Sequence, residues 1–173
     1  MDFAIPELES LADLYGATDI FAPDFARRGK KEMLDVPYVW CKLPSDETAV
    51  QIMTRAILIK DIIDVCGHSF QNLDQPKPES DLEAYWRHKW QPLVDSLNGP
   101  KIKALLDQQK KFKFSFDAIG RHISMQEQLF VIQMFKGHPF KDENVSLNNA
   151  EQTFKVVENA SNGEVVFGLK VAS

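Results

Sequence analysis

The residues best equipped for chemistry lie in one basic stretch. Between Trp86 and Lys141 the chain carries ten Lys and Arg side chains against four acidic ones, Asp95, Asp107, Asp117 and Glu127. Lys101, Lys103, Lys110, Lys111 and Lys113 come close together, then Gly120-Arg121-His122, then Lys136. Fixed positive charge of this density draws phosphates within a Debye length of ~8–10 Å. Gly120-Arg121-His122-Ile123-Ser124 also leads into an expected helix, whose first backbone N–H groups offer a phosphate cradle. A solvated basic face accounts for the same charge pattern. Trp86 and Trp90 flank Arg87-His88-Lys89 and have the chemistry to stack on bases. Their spacing of four, with leucines on the same side, equally describes a core stripe.

Other chemistries fail on spacing. The glycines fall at 16, 29, 67, 99, 120, 137, 163 and 168, never two residues apart, so neither a dinucleotide fingerprint nor a phosphate-binding loop of that type fits. His68, His88, His122 and His138 lie in separate segments without metal-ligand spacing. Cys41 and Cys66 sit in apolar runs, where small buried thiols are expected. Asp46-Glu47 and Asp142-Glu143 read as helix-start and turn acids. No catalytic constellation and no metal site emerges.

The elements that position the basic residues follow from periodicity and breakers. Pro6 to Tyr15, closed by Gly16, reads as a helix. Val36 to Leu43 is β-branched and aromatic, a strand pattern. Ser45 caps a helix that turns Val50, Ile52 and Met53, with Ala49, inward. Ala56 to Cys66 is rich in Ile and Val and reads as a buried strand ending at Gly67. Gln75-Pro76-Lys77-Pro78 cannot be helix or central strand, and the main boundary is placed there. Beyond it, Asp81 to Leu97 and Ile102 to Leu106 read as helices. Phe112-Lys113-Phe114-Ser115-Phe116 alternates as a strand. Ser124-Met125-Gln126-Glu127 is a capping box opening a helix to Phe135, with Met125, Leu129, Ile132 and Phe135 expected inward. Thr153 to Val157 and Val165 to Val171 alternate around Asn162-Gly163, a hairpin signal.

The 173 residues are 44% hydrophobic with a net charge of −5, enough core for one domain or two small ones. No apolar run reaches the ~18–20 residues of a membrane span, and no secretory signal opens the chain. With two cysteines at no framework spacing, a reduced, cytoplasmic setting is expected. Residues 1–74 stand at −6 and residues 75–173 at +1, so the acidic total is an average over unlike halves.

In series, these residues resemble a known family. Phe3, Pro6-Glu7, Ser10-Leu11 and Leu14-Tyr15-Gly16 are followed by Tyr38 to Leu43 with Pro44-Ser45. Arg55, Leu58, Lys60, Ile62 and Val65-Cys66-Gly67-His68 come next. Phe112-Lys113-Phe114, Ser124 with Glu127-Gln128, Pro139-Phe140, Val145-Ser146-Leu147, Phe154 with Val156, and Val166-Phe167-Gly168 complete it. The order and spacing resemble the N-terminal part of the tRNA guanine-N2-methyltransferases that act on guanosine ten.

The resemblance implies an α+β fold: a ferredoxin-like unit over 1–74, whose first strand would lie before Met1, and a THUMP-like α/β unit over 75–173. It implies tRNA as partner, engaged at the acceptor stem and 3′ end, and a catalytic methyltransferase domain with its small activator subunit as further partners. S-adenosylmethionine would serve that domain, with no cofactor expected on these residues. Lys111, Lys113, Arg121 and Lys136 are the expected phosphate contacts, with Lys101 and Lys103 peripheral. The competing expectation is an interaction or scaffold domain whose open sheet a partner strand completes.

Overall fold

Alternation along Phe112-Lys113-Phe114-Ser115-Phe116 does form a strand, and its phenylalanine side meets the core. The computed structural model describes residues 4–16, 38–71, 81–97, 99–136, 140–160 and 162–173. In chain order these form α1 (Ala4–Tyr15), α2 (Asp46–Met53), β1 (Ile62–Phe70), α3 (Leu82–Ser96), α4 (Pro100–Leu106), β2 (Phe112–Ile119) and α5 (Met125–Phe135). A 3-10 turn at Asp142–Asn144, β3 (Gln152–Asn159) and β4 (Glu164–Ala172) follow. The fold is α+β, with a four-stranded sheet in the order β1-β4-β3-β2.

The chain separates into two compact units, residues 1–63 with 171–173, and residues 64–170. In the first unit Ala12 of α1 and Ala49 and Ile52 of α2 are buried. Ser45 caps α2 by accepting from the Thr48 N–H. Between Tyr38 and Leu43 only Lys42 makes a bridge, so the strand expected there is not formed, and Cys41 is exposed rather than buried. The expected strand at 56–66 begins six residues later, at Ile62. Ile57 is 87% exposed, and both its N–H and that of Leu58 donate to the Glu7 carboxylate, at 2.8 and 3.0 Å. Those donors are thereby taken out of any sheet ladder. Residues 17–37, including the Val36-Pro37 start of the strand expected to Leu43, lie outside the described residues.

In the second unit β2 and β3 are parallel from Phe112↔Gln152 to Ile119↔Asn159, and β3 and β4 are antiparallel. The turn between β3 and β4 contains Asn162-Gly163, where Gly163 adopts φ +74° and Asn162 Oδ1 accepts from the Glu164 N–H. Period two places Phe112, Phe114, Phe154, Val156, Val165 and Phe167 against α3 and α5. Phe154 and Phe167 stack at 5.4 Å between centroids, and Phe112, Phe114, Phe135 and Phe140 pack edge-on or tilted around them. Edge and offset contacts of this kind add about 0.5–1.5 kcal/mol per pair beyond area burial.

α3 starts at Asp81, whose carboxylate accepts from the Ala84 N–H at 2.9 Å, and buries Trp86, Trp90 and Leu93. The core reading of both tryptophans therefore holds. α5 starts at Ser124, which accepts from the Glu127 N–H at 3.2 Å. Its inward face corrects the expectation: Phe130, Val131 and Phe135 are buried, whereas Met125 and Leu129 are 68% and 53% exposed. Glu127 is buried on that same face.

Candidate nucleic-acid interface

Several of the basic residues are exposed, and some, exposed or not, are held by carboxylates of the protein. α4 opens with Gly99 and Pro100 and turns Ile102 into the core, which leaves Lys101 and Lys103 outside. Lys101 Nζ is held by Asp64 Oδ1 at 2.5 Å and by the Val65 carbonyl of β1 at 2.8 Å. Lys103 instead lines an open groove of about 970 Å³, together with Leu97, Ile102, Gln109, Lys141 and Asn144. Asp107 and Glu143 share that groove, so its own charge is balanced.

Gln109, at the rim, stands at φ +54°, the left-handed region that non-glycine residues rarely occupy. The chain then turns into β2 through the exposed Lys110 and Lys111. The Lys111 carbonyl accepts from the Glu151 and Gln152 N–H groups at 2.8 and 3.1 Å, which fixes this corner against the start of β3. Lys113 is half-buried beside Thr153 in register. Lys136 is exposed at the C-cap of α5, away in sequence from the α4–β2 corner. The structure thus groups Lys103, Lys110, Lys111 and Lys141 around α4 and the entry to β2.

Arg121 is placed differently. Its Nε donates to Glu158 Oε2 at 2.9 Å, and Nη1 donates to Glu127 Oε2 at 2.8 Å and to the His122 carbonyl at 3.3 Å. Its Nη2 donates to Glu127 Oε1 at 2.7 Å and to Glu158 Oε2. Burial works against the guanidinium charge, but its hydrogen bonds to Glu127 and Glu158 outweigh it and raise the pKa above its ordinary value. For Glu127 burial likewise opposes ionisation, and Arg121, Lys89 and Trp90 together hold its pKa below the usual carboxylate range. Lys89 reaches Glu127 at 3.3 Å and Glu158 at 2.8 Å, and Trp90 Nε1 donates to Glu127 Oε1 at 2.9 Å. The guanidinium N–H groups of Arg121, an expected phosphate contact, are thus all engaged within the protein.

Lys89, Glu158 and Lys141 were absent from the expected site. Period two from Phe154 and Val156 aims Glu158 at the core, and a buried acid needs a cation; that was the available signal. Half-buried Cys66 in β1 has its thiol pushed up, chiefly by burial, and is not a ready nucleophile. Among the described residues no group of three or more His, Cys, Asp and Glu is placed to hold a metal ion. No described helix is long and apolar enough to cross a membrane.

The Tmrp11 THUMP N-terminal domain family matches residues 1–170. The chain belongs to that family. Curated relatives include the tRNA (guanine(10)-N(2))-methyltransferase TRMT11 of Xenopus laevis, 25% identical over 159 residues, covering 91% of this chain and 28% of the relative. The human protein of the same name is 24% identical over 158 residues, covering 91% and 29%. The chain therefore spans less than a third of the curated relatives it matches. Among solved structures, TrmN from Thermus thermophilus shares the fold at a TM-score of 0.52 and 13% identity, covering 97% of this chain and 42% of that one. As in the sequence reading, the N-terminal part of the guanine-ten methyltransferase family is what this chain resembles.

Proposed function

We propose that this chain is a tRNA-binding, substrate-recognition module that works with a catalytic methyltransferase domain. The observation that carries the reading is the family match across residues 1–170. Relatives of that family are named for methylation of tRNA at guanosine ten. Exposed lysines at the α4–β2 corner support it: they present charge to a phosphate backbone, which supplies most affinity for nucleic acid without reading sequence. In this reading Lys103, Lys111 and Lys113 touch phosphates, Lys110 and Lys141 extend the surface, and Lys136 contributes from the end of α5. Lys101 and Arg121 are held by Asp64 and by Glu127 and Glu158. The target is the acceptor stem and its single-stranded 3′ end, where phosphates and unstacked bases are both reachable.

Further partners in this reading are the catalytic domain, which holds S-adenosylmethionine, and its small activator subunit, all in the cytoplasm. Fluorescence anisotropy of the chain against labelled tRNA, with and without the 3′ end, tests it. Salt-sensitive binding that weakens when the 3′ end is removed is expected. Absent or salt-insensitive binding overturns it and leaves completion of the sheet by a partner strand as the standing alternative.

A further inference from the structure

Four charged side chains from separate elements close on one another inside the second unit. Lys89 comes from α3, Arg121 from the turn after β2, Glu127 from the first turn of α5 and Glu158 from β3. The side chains of Glu127 and Glu158 are 5% and 2% exposed, that of Lys89 12% and that of Arg121 27%. Two cations face two anions, so the cluster is neutral. Each carboxylate is shared by both cations, and Glu127 also accepts from Trp90 Nε1, itself fully buried. The N–H groups of the guanidinium are all engaged, at Glu158, Glu127 and the His122 carbonyl.

We infer that Lys89, Arg121, Glu127 and Glu158 are a closed charge lock that fixes α3, the β2–α5 turn, α5 and β3 in one arrangement. The lock withdraws Arg121 and Lys89 from contact with a polyanion; this second clause rests on the tRNA reading. The physical reason is the asymmetry of buried charge. Removing Arg121 leaves two carboxylates, almost wholly out of water, facing one ammonium group. Replacing all four members by uncharged side chains leaves no buried charge to compensate. One loss is therefore worse than four.

Thermal unfolding of Arg121→Met and of the uncharged set Lys89→Met, Arg121→Met, Glu127→Gln and Glu158→Gln tests this. Gln at 127 keeps an acceptor for Trp90. Arg121→Met is expected to lower Tm by about 10 °C or more, or to prevent folding. The fourfold variant is expected to fold and recover at least half of that loss. A fourfold variant that melts lower still, or fails to fold while Arg121→Met folds, overturns the lock. If neither folds, the neutrality argument is overturned as well.

The second clause is read in the fourfold variant by anisotropy against tRNA across salt. An unchanged log–log slope is expected. A slope shallower by about 0.7 or more, one lost phosphate contact, overturns it. A wild-type chain that ignores tRNA refutes the functional reading alone, because the melting pattern still decides the lock.

Discussion

Replacing Lys103, Lys111 and Lys113 together by glutamine tests the proposed surface most sharply. Among the described residues none of the three has a carboxylate held as Lys101 holds Asp64, and Lys103 and Lys111 are exposed. Each phosphate neutralised contributes about 0.7–0.9 to the log–log dependence of affinity on salt. Losing three therefore makes the slope shallower by about 2–2.7. Between about 50 and about 200 mM salt, the wild type should lose roughly 20–40-fold more affinity than the variant. Substitutions at the exposed positions 103 and 111 change stability by about 0.5 kcal/mol or less each, and glutamine keeps much of the half-buried Lys113 stem, so the variant should stay folded, which its Tm checks. The assay is anisotropy with labelled tRNA at several salt concentrations, with Lys101→Gln as control. Because Lys101 is tied to Asp64 and the Val65 carbonyl, its replacement should leave the slope alone. A triple variant with the wild-type slope, or a Lys101 variant that loses as much, refutes the assignment.

Three further outcomes follow from packing and ionisation. Glu127 has its folded pKa depressed, so its contribution is complete above the unfolded value of about 4.3 and lost as pH falls through the folded one. The urea midpoint should hold from neutral pH to about 5 and then drop, with a shallower drop in Glu127→Gln; identical acid limbs refute the reasoning. Gly67→Ala would set a Cβ 2.5 Å from Leu97 Cδ2 and 2.7 Å from Ser96 Oγ, beneath a fully buried Leu97. Overpacking of that kind costs about 1–3 kcal/mol by urea unfolding, and a neutral result would mean that the end of α3 yields freely. Ser124→Ala removes the acceptor for the Glu127 N–H and should cost about 1 kcal/mol, with Ser124→Asp close to wild type.

Much of the second unit was legible because its signals are local. Phe112-Lys113-Phe114 alternates over a few residues, Ser124 stands three before Glu127, and Trp86, Trp90 and Leu93 repeat at helical spacing; each became the element expected. The segment from Ala56 failed for a non-local reason. Its isoleucines read as a strand, but the Glu7 carboxylate, fifty positions earlier in the chain, takes the N–H groups of Ile57 and Leu58. No window around Ile57 contains that acceptor. Hydrophobic composition marked a strand nearby, but β1 is the outer, half-buried strand of the described sheet rather than a buried one, and a distant hydrogen bond takes the N–H groups ahead of it.

The inward face of α5 and the partners of Arg121 turn on one residue, Glu127, which the sequence marks only as the acid of a capping box. Placing it outside turned the helix face toward Met125, Leu129 and Ile132. The face actually buried runs Glu127, Phe130, Val131, Met134 and Phe135, a three-and-four spacing with an acid at its head. Admitting a buried carboxylate at 127 demands a cation within reach, and Arg121, just before the cap, supplies it together with Lys89. Arg121 is thus tied to carboxylates for the same reason that Met125 lost its place in the core. Residue type gives the number of positive charges in the segment. How many of them remain for a polyanion depends on which carboxylates the fold buries beside them, and that is set by Glu158 across the sheet as much as by any residue near Arg121.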